Sequence, residues 1–229
     1  MPAPEDKQKD ALLEAFLGHA VFDGWTDTAL DAAARDVGIS PAMARNVFAG
    51  GLLDVAAHFS ATADRAMLEA LAGVDLASMR VRDHIALGVR KRIEAIVPHR
   101  EAVRHLVGYL ALPGHQGASA KCAWQTASEI WYAAGDTAAD FNHYTKRGLL
   151  VGVYGATVLY WLADESDGFT DTWAFLDRRI DDVLQVTSLK GKLEKAVKEG
   201  FSGMRTPADV LRGLGRRARG GPGGFTRRT

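Results

Sequence analysis

A single cysteine, Cys122, occurs in 229 residues. That excludes an internal disulfide and any cysteine-built zinc cluster. Beside Trp124 it reads most simply as a small core residue. Net charge is missing too, because 28 Lys and Arg balance 28 Asp and Glu. A whole-protein basic field for nucleic acid is therefore absent. The opening MPAPEDKQKD is polar and lacks the apolar run of a secretory signal. The apolar stretch GLLVGVYGATVLYWLA over 148–163 is short for a membrane span, and Lys146, Arg147 and Asp164 bracket it. A buried core helix is the expected role. There is no convincing period-two strand, no internal repeat, and no P-loop, dinucleotide fingerprint or Gly-x-Ser-x-Gly elbow.

What remains is a helical pattern in a composition that is 47% hydrophobic and 24% charged, typical of a globular domain. Leu12, Leu13, Phe16, Leu17 and Ala20 recur at helix spacing. Thr26 or Asp27 is a candidate cap for a second helix ending at Gly38, and Ser40 with Pro41 opens a third. AGG at 49–51 precedes a helix over Leu52–Ala72. Further helices are expected from Ser78 to about Val97, over about 99–111, 117–133 and 138–163, and in TDTWAFLDRRIDDVL. There Trp173, Leu176, Ile180 and Leu184 share a face. Gly148, Gly152 and Gly155 suggest either close approach of a neighbouring helix or space for a ligand. Arg90, Lys91 and Arg92 read as a solvated face, with lipid phosphate as the alternative, and Glu101 with His105 as a local helix contact. The seven histidines are scattered, and the lone Asp140-x-x-His143 falls short of a di-iron centre. The expectation is a protein that is not an enzyme and holds neither metal nor cofactor.

Gly24, Trp25, Thr26, Ala33, Val37, Gly38, Ile39, Ser40 and Phe48 resemble the scaffold of the TetR-type helix-turn-helix. The resemblance implies an all-α TetR-like bundle, with an N-terminal helix-turn-helix-like module and a C-terminal ligand-binding bundle. The contact positions differ, since Met43, Arg45 and Gly51 stand where that family places Thr, Tyr and a phosphate-binding Lys. Residues 1–60 carry four basic side chains against nine acidic ones, which opposes phosphate contacts. DNA is not an expected partner; a TetR-type ligand-responsive repressor is the alternative reading.

Charge is unevenly spread. Residues 189–229 hold eleven Lys and Arg against three Asp and Glu. Leu189, Leu193, Val197 and Phe201 form an apolar stripe flanked by Lys190 and Lys198, the composition of an interfacial helix on a peripheral membrane surface. The Arg- and Gly-rich end beyond it is expected to lack fixed structure.

The central segment resembles a second family. GDT, DFNHYTKR and DTWAFLDRRIDDV, with FDGW, VRDHIAL and VPHREAVR upstream, are similar to motifs of the lipid-binding accessory proteins of ubiquinone biosynthesis called the ninth coenzyme Q protein family. The resemblance covers about residues 8–188. It implies a homodimer that holds an isoprenoid lipid, quinone precursor or phospholipid in an apolar cavity and presents it to a pathway hydroxylase. Its docking segment matches Asp140, Phe141, Asn142, His143 and Tyr144, with His143 in place of the usual Trp. Trp124, Trp131, Leu149, Val153, Tyr154, Val158 and Trp161 either line such a chamber or fill a core. The expected organisation is 1–65 as the helix-turn-helix-like module, 66–188 as the lipid-binding domain and 189–229 as the basic amphipathic tail. The expected place is the inner membrane face of a bacterium, or the matrix side of a mitochondrion.

Overall fold

The computed structural model describes residues 4–75, 79–135 and 141–184. Met1–Asp181 form one compact unit, and 182–229 a second that falls almost wholly outside the described residues. All regular structure in the described part is helical.

Helix α1 (Pro4–Asp23) buries Leu12, Leu13, Phe16, Leu17 and Ala20, the stripe its spacing predicts. Gly24, at φ 71°, turns the chain. Thr26 then caps α2 (Asp27–Asp36) by accepting from Ala29 N at 3.3 Å. Gly38, at φ 74°, supplies the left-handed residue that ends it. Ser40 accepts from Met43 N at 3.2 Å and Pro41 opens α3 (Pro41–Val47). Trp25 holds the module together, packing edge-on against Phe16 at 4.8 Å and donating from Nε1 to Leu52 O at 3.2 Å.

Helix α4 (Leu52–Ala72) has the bounds its pattern predicts. Its Val55, Phe59, Ala63 and Met67 are buried. Helix α5 (Val81–Glu94) begins after Arg80; Ser78, the expected cap, lies outside the described residues. It also stops short of Val97, where a 3₁₀ turn, Val97–His99, takes over. Pro98 disfavours helical backbone at the residue before it, which accounts for the early stop. Helices α6 (Arg100–Leu110), α7 (Gln116–Ala133) and α8 (Phe141–Ala163) follow, and α9 covers 170–184.

At Gly88 two helices approach closely. A Cβ there would lie 2.8 Å from Ile130 Cγ2, so only glycine lets α5 and α7 meet this closely. Gly148, Gly152 and Gly155 differ. Nothing lies within 4 Å of a Cβ built on any of them, so no helix of the described chain presses on that face. Of the two readings offered for them, intramolecular close packing is corrected.

Candidate functional site

Between α4, α6, α7 and α8 lies a cavity of about 520 Å³, within the ~300–1,000 Å³ range of small-molecule sites. Its walls are mostly aliphatic: Ala56 and Phe59 from α4, Val103, Leu106 and Leu110 from α6, Ala120 and Ala123 from α7, and Val151, Tyr154, Gly155, Val158 and Leu159 from α8. Phe59, Val103, Leu106 and Val158 are buried, whereas Ala111, Gln116, Ala120 and Leu159 are exposed. The chamber therefore runs from a buried floor to an open mouth, and Leu159 is a 58% exposed apolar side chain at that mouth.

One part of the wall is polar. Arg92 and Asp64 are 3% and 5% exposed, with Arg92 Nε 2.6 Å from Asp64 Oδ1. Thr126 Oγ1 donates to the same oxygen at 2.9 Å. Arg92 Nη2 lies 3.3 Å from Ser60 Oγ. Arg92, Ser60, Thr126 and Tyr154 all line the cavity, and the Arg92 guanidinium sits 5.8 Å from the Tyr154 ring centre. Burial pushes both the Tyr154 hydroxyl and the Cys122 thiol above their usual ranges, so both stay protonated at neutral pH. A protonated thiol is a poor nucleophile. Arg92 corrects the expectation of a solvated face: only Arg90 and Lys91 behave so, each 2.8 Å from Glu94. Arg92 was legible, because it falls three residues after Val89 and seven after Ile85, on the buried side of α5.

Of the seven residues expected to line a chamber, Tyr154 and Val158 stand in this one. Trp161 and Val153 are buried elsewhere; Trp161 meets Phe169 at 6.2 Å and the Arg100 guanidinium at 5.7 Å. Trp124 stacks on Tyr144 at 6.1 Å, and Trp131 carries the Lys146 ammonium 5.2 Å from its ring centre. Leu149 is half-buried away from the cavity. Sequence reasoning missed Ala56, Phe59 and Ser60 of α4, which precede residue 66, and the α6 wall. The α6 residues were findable, since Val103, Leu106 and Leu110 share one helix face.

Among the expected docking residues, Tyr144 is 63% exposed. Asp140 and the side chains of Asn142 and His143 lie outside what is described, as do Leu189, Lys190, Leu193, Val197, Lys198 and Phe201. Glu101 pairs with Arg104 at 3.2 Å rather than with His105. No group of three or more His, Cys, Asp or Glu side chains among the described residues could hold a metal ion. None of the described helices is long and apolar enough to cross a membrane.

Around the chamber, the sequence motifs act as fasteners. Arg100 of VPHREAVR donates from Nη2 to Trp161 O at 2.9 Å and Leu162 O at 3.2 Å, and Arg104 donates to Leu162 O at 2.6 Å. They cap the carboxyl end of α8, where cations are favoured. Asp164 accepts from Ser166 N at 2.8 Å and Thr172 N at 2.9 Å, fixing the start of α9. Burial alone would push its carboxyl up; the hydrogen bonds from Ser166 and Thr172 outweigh that and hold it at about 2. Arg82 of VRDHIAL reaches Asp181 at 2.7 Å and Asp177 at 3.3 Å, tying α5 to α9.

The fold is similar to that of a TetR transcriptional regulator from Nitrosomonas europaea, with a TM-score of 0.61 over 76% of this chain and 97% of that one, at 17% identity. The chain is thus an all-α, TetR-like bundle. Residues 116–187, which include the α7 and α8 walls, match the COQ9 family. The mitochondrial ubiquinone biosynthesis protein COQ9-A of Xenopus laevis is 30% identical over 93% of this chain and 70% of its own length. The COQ9 proteins of Rattus norvegicus and Homo sapiens are 28% and 26% identical over the same share of this chain, covering 71% and 70% of theirs. With that relative 30% identical across most of both lengths, the chain belongs to the COQ9 family of ubiquinone biosynthesis proteins.

Proposed function

We propose that this chain serves ubiquinone biosynthesis as a non-catalytic carrier that takes a prenylated quinone precursor, or another isoprenoid or phospholipid, into the α4–α6–α7–α8 chamber and offers it to a pathway hydroxylase. The observation that carries this reading is an apolar chamber with an open mouth in a chain related to proteins named for ubiquinone biosynthesis. Withdrawing a prenyl tail from water gains ~0.8 kcal/mol per CH₂, and these walls offer the contact that requires. The cavity is the size of a compact ligand, so a long tail would continue past Leu159 into the open.

In this reading the segment at 140–144 meets the hydroxylase, and residues 189–204 rest on an anionic membrane surface. Two chains pair as a homodimer. The membrane is the inner one, peripheral from the cytoplasmic side in a bacterium and from the matrix side in a mitochondrion. Reading DNA has weaker support. Arg45, the basic residue of α3, is engaged by Asp31 at 2.7 Å, and the module's acidic excess opposes a polyanion.

Organic extraction of protein purified without detergent, followed by mass spectrometry, tests the carrier. Prenylated quinone precursor or phospholipid at near-stoichiometric amount is expected; an empty extract would reduce the chamber to a packing defect. Vesicle flotation tests the tail. Deleting 189–229 is expected to abolish association with anionic vesicles, and unchanged flotation would remove the tail from the membrane role.

A further inference from the structure

The turn between α6 and α7 stands at the mouth of the chamber, since Ala111 on one side of it and Gln116 on the other both line the cavity and are exposed. At its tip an apolar side chain faces water: Leu112 is 49% exposed, and exposed Pro113 follows it. One exposed leucine alone means little. The backbone that carries it is the unusual part. Ala111 N donates to Val107 O at 3.1 Å, Leu112 N to Tyr109 O at 3.2 Å and His115 N to Leu112 O at 3.1 Å. Pro113 has no N–H, and Gly114 N donates to Gln116 Oε1 at 2.9 Å. Pro113 followed by Gly114 at φ 91° suits a type II turn. His115 Nδ1 pins the turn to α6 by donating to Tyr109 O at 2.8 Å. From 111 to 115, then, each backbone donor is bonded within the chain or absent. A loop in water does not need this, because solvent serves its donors. A loop entering lipid does, because nothing there replaces a missing partner.

Charge points the same way. Asp and Glu are absent from 102–128 and again from 141–163, although 28 of the 229 residues are acidic. These two stretches supply the α6, α7 and α8 walls of the chamber. Arg104, His105 and Lys121 are exposed within the first, and Glu101 at its edge is paired with Arg104. Helix α7 starts at the turn with neither a side-chain cap nor an acidic side chain in its first turn, so its positive end suits an anion. An apolar tip flanked by cations and free of carboxylates fits the surface of an anionic bilayer.

We propose that this turn is a membrane contact in its own right: Leu112 and Pro113 enter the boundary between headgroups and acyl chains of an anionic bilayer and seat the chamber mouth on it. A lipid then passes between bilayer and chamber without crossing water. This rests on the carrier reading, and it adds the place and direction of entry, which a membrane-bound tail does not fix.

The test places a polarity-sensitive fluorophore on the full chain carrying Cys122→Ala, either at Leu112→Cys or, for comparison, at Ala42→Cys on α3, which contributes nothing to the chamber. On vesicles of phosphatidylcholine with phosphatidylglycerol, emission from 112 is expected to shift to the blue and to be quenched by lipids spin-labelled on the acyl chain. Emission from 42 is expected to stay as in water. Separately, Leu112→Asp in the natural chain is expected to weaken vesicle flotation severalfold at an unchanged melting temperature. A water-like label at 112 on a chain that floats with the vesicles would overturn the role of the turn and leave the carrier and tail readings standing. So would natural flotation of Leu112→Asp. Equal shifts at 112 and 42 would overturn it by showing indiscriminate adsorption, and so would a chain that does not float at all. An empty lipid extract beside a lipid-buried label at 112 would instead sink the carrier reading and keep the contact.

Discussion

Arg100 does more than its place in an eleven-residue helix suggests. It lies 5.7 Å from the Trp161 ring centre and 5.3 Å from that of Phe169 while donating to the carbonyls that end α8. Hydrogen bonds from charged donors are worth ~1.5–3 kcal/mol. Arg100→Ala is therefore expected to lower the urea-unfolding free energy by about 2 kcal/mol, and Arg104→Ala by less. Equal small losses for both would deny Arg100 its central place. Asp164 makes a separate prediction with a sign. Its carboxyl is held at about 2 against an ordinary 3.8, so the folded state favours the charged form. That contribution is complete above pH ~4 and is lost as pH falls toward ~2. Asp164→Asn is expected to flatten this part of the curve of unfolding midpoint against pH; an unchanged slope would put the acid sensitivity elsewhere.

Single residues also show what a linear pattern hides. Arg92 sits in a run of three basic side chains, and a run reads as a solvated face until the helix phase is applied. Only that phase separates it from Arg90 and Lys91. Its partner Asp64 is 28 positions away, a distance no local pattern spans. Trp161 shows the converse. An aromatic in an apolar helix is a fair candidate for a ligand wall, yet here it is fully buried beneath Arg100.

Among the elements, helix existence was legible because apolar spacing and caps agree. Thr26, Ser40 and Gly38 each do what their chemistry predicts. Pro98 set the end of α5 earlier than periodicity alone implied. The chamber was legible only on its α8 side. Its α4 and α6 walls come from segments whose own patterns are ordinary amphipathic helices, and only the packing brings them together. Gly88 is a tight joint of that packing. Gly88→Ala gains ~1 kcal/mol of helix propensity but drives a methyl to 2.8 Å from a buried, β-branched Ile130, an overpacking that costs ~1–3 kcal/mol. Net destabilisation of about 1 kcal/mol is expected in thermal unfolding. A variant more stable than the natural chain would mean that α5 and α7 part freely.

On the scale of the whole molecule, the even charge total conceals two segments of opposite sign, and the short basic one, 189–229, is where the membrane role of the tail is proposed. The fold is TetR-like, and residues 1–60 carry nine acidic side chains against four basic ones. Behind them the helical bundle has room inside. Gly155 gives direct access to that room. It stands in the chamber wall with nothing within 4 Å of where its Cβ would begin. Leucine there also improves helix propensity by about 1 kcal/mol, so loss of binding would not be confused with loss of fold. The decisive measurement is the amount of lipid or quinone precursor extracted per chain from Gly155→Leu beside the natural protein, both of matched helical content and melting temperature. The chamber account predicts a filled natural protein and a severalfold emptier variant. The same lipid content in both, with the fold intact, would contradict it.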